Sequence, residues 1–213
     1  MSTLNTIKFE TKRKNLYLRV AMGHFAMGHS HSNYYIDVVS QKARMSEARA
    51  VAEELCSYYY GDTVVDTILC LDGMEVIGAC LADCLTKGDF TNLNAHKSIY
   101  VVTPEITSGN QFIFRDNIVP MIKGKNVMIL GVSVASGKTA QSAVQTVKYY
   151  GGKVTGVSAI FSTAQECCGL PVRSVFDPND LDGYAIYPSH ECPMCKDGKK
   201  IDALVNSHGF SKL

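Results

Sequence analysis

Val127-Met-Ile-Leu-Gly-Val-Ser-Val-Ala-Ser-Gly-Lys-Thr139 is the stretch on which the fold turns. Residues 127–130 form an unbroken apolar run, as expected of a strand buried on both faces. Small residues follow. Residues 137–150 then carry Ala140, Ala143, Val144 and Val147 at helical spacing and close on Gly151-Gly152. A buried strand that runs through a small-residue loop into a helix leaves free amides under a favourable helix dipole. Gly and Ser also let the backbone approach a ligand closely. The expectation is a phosphate site built from Ala135, Ser136, Gly137, Lys138 and Thr139; the alternative is a tight turn with capping hydroxyls.

The flanking elements extend this unit. Met45, Ala48, Val51, Ala52, Leu55 and Cys56 predict a helix over 41–60, stopped by Gly61. Residues 64–71 read as a buried strand, and Val76, Ile77, Cys80, Leu81, Cys84 and Leu85 predict a helix over 74–85. Strands are expected at 98–103 and 153–161, and 111–116 alternates like one arm of a hairpin. Strand and helix alternating in this way predict an α/β fold: a single domain over 1–213, with a mostly parallel central sheet flanked by helices. Its core is expected at about 41–161. Residues 1–40 and 162–213 read as additions, with strand candidates at 16–21, 34–39 and 171–176.

Composition narrows the function classes. The chain has 213 residues, of which 46% are hydrophobic and 19% charged, enough apolar material to exclude disorder. Its formal net charge of +1 lacks the basic excess of a nucleic-acid binder. No run approaches the roughly 18 apolar residues of a membrane span. The N-terminal residues 1–15 are charged with no apolar run behind them, so a cytoplasmic location is expected. Of eight cysteines, Cys56, Cys70, Cys80 and Cys84 lie in apolar patterns, Cys167 and Cys168 are adjacent, and Cys192 and Cys195 form a C-x-x-C. Core thiols or metal ligands are expected rather than disulfides.

Ligands of parallel sheets bind beyond the carboxyl ends of the strands, which selects 71–75, 103–105 and 131–139. The triphosphatase loop G-x-x-x-x-G-K-T does not fit, because its first Gly would fall at Val132, and G-x-G-x-x-G is absent. Residues 127–139 instead resemble the ribose-phosphate signature of the type I phosphoribosyltransferases. Residues 66–82 are similar to the strand, pyrophosphate loop and helix of the orotate branch. His31-Ser-Asn-Tyr-Tyr-Ile-Asp37 resembles an N-terminal element of that branch. The likeness extends from about residue 30 to 161. It implies a type I phosphoribosyltransferase-like fold with N- and C-terminal hood segments. It also implies a homodimer acting on magnesium-bound phosphoribosyl pyrophosphate, with 135–139 holding the 5′-phosphate. Asp72, Gly73, Met74 and Glu75 would approach the pyrophosphate or metal, and Tyr34 and Tyr35 would lie near the base or the subunit interface.

Two departures bear on activity. The acidic pair that grips the ribose hydroxyls in the family falls at Gly131 and Val132, with Ser133 able to recover one neutral bond. The cations expected after the 98–103 strand are replaced by Thr103-Pro-Glu105, leaving Arg115, Lys123 and Lys125 as candidates. The resemblance therefore implies an orotate phosphoribosyltransferase-like protein of weak or lost activity. The alternative is a non-catalytic nucleotide-binding or regulatory protein that kept the phosphate loop.

Two further clusters carry chemistry. Residues 21–31 hold His24, His29 and His31 in a Gly-rich near-repeat, read as a ligand lid or an interface loop, with metal binding as the lesser alternative. His190, Cys192 and Cys195 have knuckle spacing that suits zinc, with Cys167, Cys168 or His208 as the source of a fourth ligand.

Overall fold

The computed structural model describes residues 4–10, 15–87, 92–95, 97–109, 111–135 and 137–213. Strands β1 (Ile7–Glu10), β2 (Tyr17–Met27) and β3 (Ser30–Asp37) precede helices α1 (Val39–Ala43) and α2 (Met45–Cys56). Then come β4 (Thr67–Cys70), α3 (Glu75–Thr86), β5 (Tyr100–Val102) and the short pair β6 (Glu105–Ile106) and β7 (Phe112–Ile113). Strand β8 (Asn126–Val134), α4 (Lys138–Tyr149), β9 (Lys153–Ser162), β10 (Glu166–Cys167) and β11 (Leu170–Phe176) follow. The chain ends with β12 (Ile186–Pro188), α5 (Pro193–Lys196), β13 (Ala203–Asn206) and β14 (Gly209–Lys212).

These elements form two compact units, 41–177 and 1–40 with 178–213. In the larger unit the strand order is β10-β11-β9-β8-β4-β5, parallel except for β10. Every residue of β4 is buried, and the strand reads as mostly apolar sequence, with the Thr67 hydroxyl donating to the Met121 carbonyl. The pleat divides its neighbours between two faces. Val127, Ile129, Val157 and Ala159 pack with Ala140, Ala143, Val144 and Val147 of α4. On the other face a Cβ at Gly78 of α3 would meet Cys70 and Ile68, so a glycine there lets the helix close onto β4. Tyr59, just past α2, lies against Gly156, and its hydroxyl is 2.6 Å from Ser158 Oγ.

The smaller unit is a sheet in the order β12-β3-β2-β13-β14, with β1 also on β2. Its core is Ala21, Phe25, Tyr35, Ala203 and Val205.

The α/β class and the parallel central sheet stand as expected, and four details differ. The helix expected at 41–60 is two helices, broken at Arg44, whose extended backbone (φ −97°, ψ 116°) interrupts the ladder. The C-terminal addition expected from 162 begins instead at 178, because β11 joins the central sheet in parallel beside β9. Strand β8 continues four residues beyond Leu130, through Val134. The histidine segment is a hairpin of β2 and β3 rather than a loop, since Ala26 pairs with His31 and Met27 with Ser30. Among the described residues, no helix is long and apolar enough to cross a membrane.

Candidate functional site

At the carboxyl end of the central sheet, β4 ends at Cys70 beside Leu130, and β8 runs on to Val134. Cys70 pairs with Leu130, and the Leu71 amide donates to the Leu130 carbonyl at 2.8 Å. The chain beyond β8 is held from one side. The Thr163 amide and the Ser162 hydroxyl both donate to the Val134 carbonyl at 3.0 Å, and the Thr163 hydroxyl donates to the Ala135 carbonyl at 3.2 Å. Those bonds turn the loop carbonyls toward the end of β9. Gly137 then caps α4 with φ +73°, a left-handed conformation natural to glycine. The amides of the first turn of α4 have no intrahelical acceptor, and Lys138 and Thr139 are exposed beside them. Ala135, Gly137, Lys138 and Thr139 thus form a strand-to-helix cradle, while Ser136 lies outside the described residues. Cys167 is buried behind it, with Sγ 4.0 Å from the Gly137 carbonyl oxygen.

The neighbouring turn, 71–75, has Asp72 at φ +56° and Gly73 at φ +79°, and the Met74 amide donates to the Leu71 carbonyl at 3.2 Å. Two successive positive φ values give a tight type I′-like turn, and the one at Asp72 costs backbone energy of the kind found at functional sites. Asp72 and Glu75 are accessible, whereas the Met74 side chain is fully buried and belongs to the core. A residue missed in sequence joins them. Lys42, carried by α1, donates from Nζ to the Asp72 carbonyl at 2.9 Å. Burial lowers its pKa, opposed by the nearby Asp72 and Glu75 carboxylates. Its sequence neighbours show only a helical surface lysine, so no local signal marks it.

The cations expected from sequence lie elsewhere. Arg115 makes a two-pronged ion pair with Glu105, at 2.7 and 2.6 Å, within the β6–β7 hairpin. Lys123 and Lys125 precede β8 and so occupy the amino end of the sheet, opposite the cradle. Gly131 and Val132 lie within the last four residues of β8. A Cβ on Gly131 would meet nothing within 4 Å, whereas Val132 is 7% exposed and Ser133 is exposed.

Tyr34 and Tyr35, expected near the base or the subunit interface, are both buried within the smaller unit. The Tyr34 hydroxyl donates to the Asp182 carbonyl at 2.8 Å and its ring stacks on Tyr184, while Tyr35 packs against Phe25 and Phe210. Burial, then Asp37, pushes the Tyr35 pKa up to about 12.

The knuckle cysteines have partners other than those expected. His24, His31, Cys192 and Cys195 bring their ligand atoms within 4.8 Å of one another. His190 is not among them; its exposed ring faces Glu191 at 3.2 Å. Neither Cys167, Cys168 nor His208 belongs to the set. The Gly-rich spacing of 21–31 was the available signal for His24 and His31. The bulge between Met22 and Phe25, where His24 lies, is invisible to a period-two reading.

No protein-family model matches the chain. It is 30% identical to an orotate phosphoribosyltransferase of Sulfurimonas denitrificans over 89 residues, 37% of this chain and 44% of that relative, so the match spans less than half the relative's length. A UMP synthase structure from Leishmania donovani aligns with a TM-score of 0.56 at 17% identity, covering 76% of this chain and 34% of that one. The Mycobacterium tuberculosis orotate phosphoribosyltransferase in complex with 5-phospho-α-D-ribosyl 1-diphosphate aligns at 0.52 and 17% identity, covering 69% and 82%. At these identities the structural likeness establishes the fold alone: the chain has the fold of the type I phosphoribosyltransferases, and part of it is similar in sequence to an orotate phosphoribosyltransferase.

Proposed function

We propose that this protein binds a 5′-phosphorylated ribose compound, phosphoribosyl pyrophosphate or a nucleoside monophosphate, at the carboxyl ends of β4 and β8. Transfer of the phosphoribosyl group to a base such as orotate is weak or lost. The observation that carries this reading is the cradle after β8. Its carbonyls are tied back by Ser162 and Thr163, which leaves the amides of 137–139 to receive a phosphate. The Asp72–Glu75 turn beside it would receive the pyrophosphate with its magnesium, and Lys42 supplies a positive charge there. The relative from M. tuberculosis holds phosphoribosyl pyrophosphate on the same fold.

The end of β8 argues for the loss of transfer. Gly131 and Val132 offer no side-chain acceptor to ribose hydroxyls. Two charge-assisted bonds of about 1.5–3 kcal/mol each are missing, together about two to four orders of magnitude in affinity. Arg115, committed to Glu105, leaves little further charge for a departing pyrophosphate. A binding or regulatory role that keeps the phosphate loop follows from the same arrangement. Homodimerisation and a cytoplasmic location belong to this reading.

Calorimetric titration with phosphoribosyl pyrophosphate, orotate and several nucleoside monophosphates, with and without magnesium, tests it. Saturable binding of a 5′-phosphate compound, weakened in Thr139→Val, is expected. Orotate turnover of roughly 1 per second or more would refute the loss of transfer. Absence of binding by every 5′-phosphate compound would refute the site.

A further inference from the structure

The smaller unit contains a cluster that the phosphate chemistry does not use. The segment between β12 and β13, residues 189–202, is held to the β2–β3 hairpin at both ends. Tyr187 of β12 pairs with His31, and Ala203 of β13 pairs with Phe25. Between those anchors the segment is nearly devoid of core. Cys192 is its one buried residue, and α5 buries none. It folds as a knuckle, in which the amides of Lys196 and Gly198 donate to the carbonyls of Cys192 and Cys195 at 3.2 and 3.0 Å. Both thiols are thereby presented to the hairpin.

Two histidines meet them. His24 Nε2 is 3.6 Å from both Cys192 Sγ and Cys195 Sγ, and 2.9 Å from His31 Nδ1, which is 3.2 Å from Cys195 Sγ. A tetrahedral ion with Zn–S of about 2.3 Å and Zn–N of about 2.0–2.1 Å sets S···N edges near ~3.6 Å and an N···N edge near ~3.3 Å. The observed edges lie within a few tenths of an ångström of those values. The surroundings also prepare His24. Its Nδ1 lies 2.9 Å from the Lys199 carbonyl, an acceptor that requires the proton on Nδ1 and leaves Nε2 as the lone-pair donor. Asp202 accepts the His24 amide at 2.7 Å, and a Cβ on Gly23 would strike that same carboxylate oxygen at 2.7 Å, so Gly23 keeps the bulge closed.

We propose that His24, His31, Cys192 and Cys195 form a structural zinc site that fastens the 189–202 knuckle to the β2–β3 hairpin. Two thiolates and two imidazoles are a donor set that selects zinc, and four protein ligands leave no open position for catalysis. Binding releases one proton from each thiol, and the two thiolates neutralise the dication. The ion supplies cohesion that a segment whose one buried residue is Cys192 cannot obtain by burial.

The full chain, purified without chelator, should carry about one equivalent of zinc by elemental analysis. Cobalt substitution should give the visible bands of tetrahedral cobalt with thiolate charge transfer. Chelation should lower the melting temperature by about 10 °C or more. His190→Ala should keep the full equivalent. Cys195→Ser, at the exposed ligand, should lose at least tenfold in zinc affinity while remaining folded enough to measure; Cys192→Ser, at a buried one, serves as a second check. Less than about a tenth of an equivalent after reconstitution with excess zinc overturns the proposal. So does a Cys192–Cys195 disulfide in protein kept under reducing conditions, or loss of zinc in His190→Ala with retention in Cys195→Ser.

Discussion

Gly131→Asp should tighten the binding of magnesium-bound phosphoribosyl pyrophosphate. The position suits the substitution. It lies in β8 opposite Ala159, its backbone is outside the left-handed region, and a Cβ there meets nothing within 4 Å. A carboxylate can therefore be added at the end of the strand without repacking. One charge-assisted bond to a ribose hydroxyl contributes about 1.5–3 kcal/mol, or roughly 10- to 150-fold in Kd. The like charges of Asp72 and Glu75 on the adjacent turn place the expectation near the lower figure, about tenfold. Val132→Asp differs sharply. Val132 is 7% exposed, so that change forfeits about 1.5–3 kcal/mol of apolar burial and adds the several kcal/mol of burying a carboxylate. The double variant should thus unfold at lower temperature and mask any gain. Calorimetry on Gly131→Asp, with Gly131→Asn as the neutral control, isolates the charge; Asn should recover about 0.5–1.5 kcal/mol at most. An unchanged Kd in a Gly131→Asp protein of wild-type melting temperature would refute the placement of the ribose at this strand end.

Lys42→Met should weaken phosphoribosyl pyrophosphate by about 1–2 kcal/mol and weaken a nucleoside monophosphate less, since the lysine contacts the 71–75 turn; equal losses for both ligands would contradict that division. Gly137→Ala should lower stability by about 1–2 kcal/mol, because the cap needs φ +73°, and urea denaturation measures it. For Asp66, burial raises the carboxyl pKa, but hydrogen bonds from the Asn126 amide and side chain, with Lys97 and Lys125 nearby, hold it below 3.8. The resulting stability is fully present above pH 3.8 and is lost as pH falls below it through the folded-state pKa. Asp66→Asn should therefore cost about 1 kcal/mol near pH 7, and the gap from wild type should close in acid. A gap independent of pH would contradict this.

Elements whose signal is local were legible from the sequence. Buried strands such as 127–130 cannot alternate, so they read as apolar runs, and α4 shows its core stripe at Ala140, Ala143, Val144 and Val147. The strand-to-helix junction after β8 was legible for the same reason, since strand, small residues and helix start are contiguous. The missing acids at 131 and 132 needed no coordinates at all. Tertiary structure decided whatever depends on partners distant in the chain. Gly131 to Ser133 carry no distinctive strand pattern, so the length of β8 follows from β9 beside it. Leu170–Phe176 reads as an appendage until its parallel pairing with β9 is seen. Lys42 became a site residue only when α1 was placed against the 71–75 turn. Cys192 and Cys195 announced ligand chemistry by spacing, but their partners stand more than 160 residues earlier on another hairpin. Spacing along one segment fixes which side chains can share an ion with each other. Which residues complete the set is determined by strand register and a bulge, properties of the folded sheet that no local period encodes.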